Sequence, residues 1–290
     1  MPDGSHSAPS PARRSRVTRG AGRRVRAVGI AVCVGCGIAS GAVLGCKPRS
    51  STPTDQRSLG EYDLARDSFQ GGKLREALDH VQKSLKLDAD NADAAYLGAI
   101  IHLAFCNPDA RATDCHFEEA ERYARKALDA NPDHRDARNT LGVILTHERR
   151  FDDAIAVLKP LAGDILYVSP EKSWGNLGWA YLEKGAVNEA IDALRRAVAA
   201  QPVFCAGWYK LGLAYEKKGE LGAARESLTK CIETPRPECQ RMQDAFDARG
   251  RVALKQGLRD EARTDFETCG SISPTTPVGV RCAVQLKSLQ

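Results

Sequence analysis

The 290-residue sequence has no convincing run in which apolar and polar residues alternate, and without a two-residue period no segment is suited to line one face of a β-sheet. It also lacks the residue patterns on which common enzyme chemistries rest. There is no Ser/His/Asp arrangement, no HExxH pair, no phosphate-binding P-loop and no glycine-rich dinucleotide loop. His80, His102, His116, His134 and His147 are scattered along the chain. No catalytic residue, metal or cofactor is therefore expected. Methionine is nearly absent: only Met242 follows Met1, so no later start removes the N-terminal segment. A large charge of either sign is missing too, once its distribution is considered. The formal net charge is +5, but the first 46 residues hold Arg13, Arg14, Arg16, Arg19, Arg23, Arg24 and Arg26 against Asp3 alone. Setting these seven bases and one acid aside leaves 35 basic against 36 acidic residues, which gives no basis for nucleic-acid binding.

The arginines precede an apolar, glycine-rich run from Ala27 to Leu44, the layout of a secretory signal over residues 1–45. It ends in Val43-Leu44-Gly45-Cys46, which resembles the lipobox of bacterial lipoproteins. That resemblance implies cleavage before Cys46 and acylation of its thiol, with an uncleaved membrane anchor as the rival reading. Lys47 stands where an aspartate retains enteric lipoproteins in the inner membrane, so the periplasmic face of the outer membrane is the expected destination. Residues 46–57 are polar and interrupted by Pro48 and Pro53, and are expected to form a flexible tether. Folded structure is expected from Ser58.

Beyond that point the periodicity is helical, with self-similarity at 34 residues. Leu177-Gly178-Trp179-Ala180-Tyr181 with Gly185 and Ala190 matches Leu211-Gly212-Leu213-Ala214-Tyr215 with Gly219 and Ala224, each 34 positions on. This resembles the tetratricopeptide signature. It implies an all-α right-handed superhelix of about six tetratricopeptide repeats over residues 58–274, with a capping helix at 275–290. Repeat starts are expected near 58, 92, 135, 171, 205 and 243. Small residues such as Gly178 and Ala190 let the paired helices touch, and Gly185 ends a first helix in the left-handed region. Two insertions stand out, Cys106–Cys115 inside the second repeat and Leu161–Pro170 after the third.

Of ten cysteines, Cys33 and Cys36 lie in the leader and Cys46 in the lipobox. In an oxidising compartment the remainder are expected to form disulfides where they meet. Cys106 and Cys115 close the first insertion, although His102 and His116 beside them keep a metal reading open. Cys231 with Cys239, across Pro235 and Pro237, and Cys269 with Cys282 are the other expected pairs. Cys205 then stays unpaired, or takes Cys231 instead.

In the tetratricopeptide repeat the first helices line a concave face. Their groove-facing positions here give Tyr62, Arg66, Phe69, Tyr96, Ile100, Asn139, Trp179, Tyr209 and Leu213. This apolar, aromatic set suits a peptide or an amphipathic helix. Leader, tether and six repeats together resemble the outer-membrane pilotins of type IV pilus systems, the Tgl, PilF and PilW kind. The stretch from Arg150-Phe151-Asp152 through Tyr167-Val168-Ser169-Pro170 to Trp174-Gly175-Asn176 carries that likeness best. The resemblance implies assistance to secretin assembly for pilus biogenesis and twitching or social gliding motility, with a secretin subunit as partner. A general periplasmic scaffold for envelope or cell-wall machinery is the alternative.

Overall fold

A computed structural model of the chain describes residues 52–106 and 113–289; the expected leader, Cys46 and the first part of the tether lie outside the described residues. The described residues form antiparallel helix pairs, as the 34-residue period predicts. The pairs are α1 (Pro53–Gln70) with α2 (Leu74–Leu87), α3 (Ala92–Cys106) with α4 (Phe117–Ala130), and α5 (Arg135–His147) with α6 (Phe151–Ala162). Then follow α7 (Pro170–Lys184) with α8 (Val187–Ala200), and α9 (Cys205–Lys218) with α10 (Leu221–Glu233). After a short α11 (Pro237–Gln240), α12 (Gln243–Lys255) pairs with α13 (Arg259–Ile272), and α14 (Pro277–Lys287) covers the end. Among the described residues there is no strand, and no helix is long and apolar enough to cross a membrane.

The helices of a pair approach closely because a glycine faces a large side chain. A Cβ on Gly178 or Gly212 would sit 2.5 Å from Leu194 Cγ or Leu228 Cγ respectively. Ala190 and Ala224 are fully buried beside these contacts. First helices end in a left-handed residue: Gly185 at φ 90°, Gly219 at φ 86° and Gly257 at φ 79°. The third repeat uses Arg149 at φ 62° in that role. A side chain in this region costs on the order of 1 kcal/mol, so the turn is imposed on Arg149 by the packing of α5 on α6.

Successive first helices touch one another along the array, whereas each second helix packs on its own first helix and the next one. The first helices thereby form the inner face. Four repeat starts fall on the expected residue, those of α3, α5, α9 and α12, and a fifth, α7, one residue early. The clear departure is α1, which begins at Pro53, five residues before Ser58. Thr52 accepts from the Asp55 backbone N–H while Asp55 accepts from that of Thr52, and Pro53 occupies the first helical position, where no donor is needed. The expected tether therefore loses its last five residues to helix. A proline read as a breaker is here a starter.

The disulfides differ from expectation at one place. Cys106–Cys115 and Cys269–Cys282 form as expected, with Cα atoms 4.5 and 6.1 Å apart. The third bridge is Cys205–Cys239, so Cys231, expected to pair, is a free thiol. The two bridged residues are 34 apart, one repeat exactly in register, which brings the start of α9 beside α11. One repeat on from the start of α9 falls at Cys239 within α11, and α12 begins four residues after that position, at Gln243. Cys231 instead points into a buried cluster, its sulfur 3.6 Å from that of Met242. Burial pushes its thiol up to about 12.

Candidate functional site

The inner face is a continuous strip of aromatic and charged side chains supplied by consecutive first helices. At its first end Tyr62 of α1 lies half-buried beneath the Arg66 guanidinium, 5.9 Å from the ring centre. Burial, then the nearby Asp93 carboxylate, raises the Tyr62 phenol above its ordinary value. Tyr96 of α3 packs against the His134 ring at 4.8 Å. Its phenol is also raised, by burial and then by Asp136. Ile100 remains partly exposed one turn further on.

Asn139 and Phe69 do structural work as well. Asn139 is only 9 % exposed and accepts from Asn176 Nδ2 at 3.1 Å, which ties α5 to α7. Phe69 packs on the buried core of the first repeats. Leu213 packs partly on the core of the fourth and fifth, and Tyr209 lies partly buried beside it. Burial and the charge of Asp244 push the Tyr209 phenol up to about 12, against the opposing influence of Arg251.

The centre of the strip is built around Trp179. Its ring takes the edge of His147 at 4.8 Å on one side and the ammonium of Lys210 at 4.2 Å on the other, while its Nε1–H donates to Glu183 at 3.2 Å. His147 is in turn stacked on Phe117 at 5.0 Å. Burial pushes the Lys210 amine down to about 8, partly opposed by Glu183. His147 is lowered by burial and then by Lys210. Among the described residues no carboxylate lies within ion-pair distance of this cation, which leaves an ammonium over an indole able to donate to an acidic or polar group on a partner. Lys210 lies one residue beyond the position used to select groove residues, and Phe117 is on a second helix. Spacing along a single first helix identifies neither.

Towards the other end the strip becomes ionic. Glu216 accepts from Arg251 at 3.2 Å and Lys255 at 2.8 Å, and Asp247, 1 % exposed, is held by Arg251 and by Arg281 of α14 at 3.0 Å. Asp247 thereby clamps the final helix onto the sixth repeat, beside Cys269–Cys282. Bridged, Cys106 and Cys115 offer no thiolate to a metal. Among the described residues no three His, Cys, Asp or Glu side chains converge as a metal site.

A family model described as tetratricopeptide repeat matches residues 116–163 and 173–234. No curated protein sequence matches the chain. Among solved structures, PilW, titled a widely conserved type IV pilus biogenesis factor, superposes with TM-score 0.66 at 22 % identity. That match covers 78 % of this chain and 98 % of PilW. Pseudomonas aeruginosa PilF superposes with TM-score 0.63 at 18 % identity, covering 81 % of this chain and all of that one. A chain of the APC/C hetero-tetramer Cut9–Hcn1 reaches TM-score 0.66 at 17 % identity, over 80 % of this chain and 42 % of that one. Likenesses at such identities show the fold. Repeat register, helix packing and the matched model agree on a tetratricopeptide-like array of helix pairs among the described residues.

Proposed function

We propose that the protein is an outer-membrane lipoprotein, acylated at Cys46, that binds a protein partner in the groove of its first helices without chemical turnover. The partner is proposed to be a secretin subunit of a type IV pilus system, with the lipoprotein assisting assembly of the secretin multimer. The observation that carries the binding role is the strip centred on Trp179. Partly exposed aromatic rings and an ammonium with no ion-pair partner among the described residues line the face of the first helices, where an extended or helical segment buries apolar area on docking. The pilus assignment draws support from the fit to PilW and PilF along nearly the whole of those chains. The lipobox at Val43–Cys46 supports the anchor.

Pull-down from membranes with the lipidated protein tests this reading. The secretin should be captured by the wild type and lost when Tyr62, Tyr96 and Trp179 are replaced by aspartate. A deletion strain that still forms secretin multimers and extends pili would reject it. A chain of the APC/C hetero-tetramer Cut9–Hcn1 superposes equally well, so the same fold serves other assemblies, and the second reading is a general scaffold of envelope machinery. In that case a different envelope protein is captured with the same dependence on the groove.

A further inference from the structure

We infer that the loop after α6, residues 163–169, inserts apolar side chains into the lipid surface that holds the protein's N-terminal anchor; this rests on the proposed acylation of Cys46. Ile165, Leu166 and Val168 are 95 %, 68 % and 89 % exposed, an unusual concentration at one site. They are displayed by a fastened frame. Asp164 accepts from Arg135 Nε at 2.6 Å and from the Leu166 backbone N–H at 2.8 Å. Tyr167 is 4 % exposed and donates its hydroxyl to Asp136 at 3.0 Å. One residue of the loop faces inward, and its apolar neighbours face water.

The position of the loop identifies what covers it. The early first helices contact the link that closes their own repeat, α1 one turn in and the next two at their starts: Ser58 with Asn91 at 3.1 Å, Asp93 with His134 at 3.3 Å, Arg135 with Asp164 at 2.6 Å. These contacts form one edge of the array, opposite the glycine turns at Gly185 and Gly219. Helix α1 runs past Ser58 to Pro53, so the chain leaves the folded array from the edge that carries Ile165. The six Cα–Cα steps from Cys46 to Thr52 span at most about 20 Å. An acyl chain on Cys46 therefore keeps this edge near the bilayer. The edge carries both signs of charge, Asp90 and Asp133 as well as Arg138 and Lys172, so insertion depends on the apolar side chains rather than on anionic lipid.

The test uses the full chain, lipidated in a bacterial host and reconstituted into vesicles of phosphatidylethanolamine and phosphatidylcholine. An environment-sensitive fluorophore is attached at Ile165→Cys, with Glu220→Cys on the opposite edge as control. The label at 165 should shift to the blue and be quenched by bromine-labelled acyl chains at least threefold more than the label at 220. Leu166→Asp with Val168→Asp, both exposed and compatible with folding, should abolish the difference. Equal quenching at both sites while the protein floats with the vesicles overturns the inference and leaves the anchor intact. A shift at 165 only after outer-membrane proteins are added also overturns it, since a protein then covers the loop. Protein that neither floats nor carries acyl mass on the Cys46 peptide overturns the anchor reading, and the inference with it.

Discussion

Lys210 gives up hydration when it is enclosed beside Trp179, and the ring face returns only part of the loss, so its amine is lowered to about 8 from an ordinary 10.5. A lowered amine means that the folded state releases its proton more readily than the unfolded state. The penalty is therefore full below pH 8, shrinks between pH 8 and 10.5, and vanishes above that range. Lys210→Met should raise unfolding stability at pH 7 by about 1–2 kcal/mol, with the gain fading towards pH 10.5 in urea titrations. The same variant should weaken capture of a partner that presents a carboxylate. Cys231 makes the converse case. With its thiol pushed up to about 12 in a buried cluster, its peptide should resist iodoacetamide under native conditions and alkylate fully on denaturation, as read by mass spectrometry. Single-residue chemistry of this kind was poorly legible in the sequence. Trp179 and Tyr209 are recognisable from their repeat positions, but Lys210 matters because of Trp179 and His147, which come from other helices.

Among elements, the helix pair is the unit of stability, and its tightness hangs on small residues. Gly178→Ala drives a methyl against Leu194 and should cost about 2–3 kcal/mol in denaturant unfolding. Arg149→Gly acts in the opposite sense, since it removes a side chain from the left-handed region at φ 62° and should stabilise by about 0.5–1 kcal/mol. Acid sensitivity also resides in the pairs. His102, 8 % exposed and stacked on Tyr123 at 5.3 Å, is lowered by burial. Its neutral form is favoured in the folded state, so stability is complete above the ordinary histidine value of about 6.5 and falls as pH drops through it. His102→Phe keeps the stacking and should flatten the melting temperature between pH 6.5 and 5. These pairs were legible in the sequence because a 34-residue repeat sets helix type and spacing together. The start of α1 and the Cys205–Cys239 bridge were not. Pro53 reads as a breaker until Thr52 and Asp55 are seen to cap it, and the bridge depends on α11 holding a place the sixth repeat has moved past.

At the scale of the whole molecule, each repeat touches only its neighbours, so stability is a sum along the array and the two ends need covers. The last repeat has one in α14, held by Arg281 on Asp247 and by Cys269–Cys282. Stacking also turns scattered positions on six first helices into one inner strip, and the proposed role lies there. Site-specific photocrosslinking in living cells tests that role most directly. A benzophenone amino acid at Tyr96 or Leu213 on the inner face, or at Glu226 on an outer helix, is irradiated and the products are separated by mass. The account predicts the same discrete partner adduct from both inner positions and none from the outer one. An adduct formed at Glu226 and absent from Tyr96 and Leu213 would contradict it.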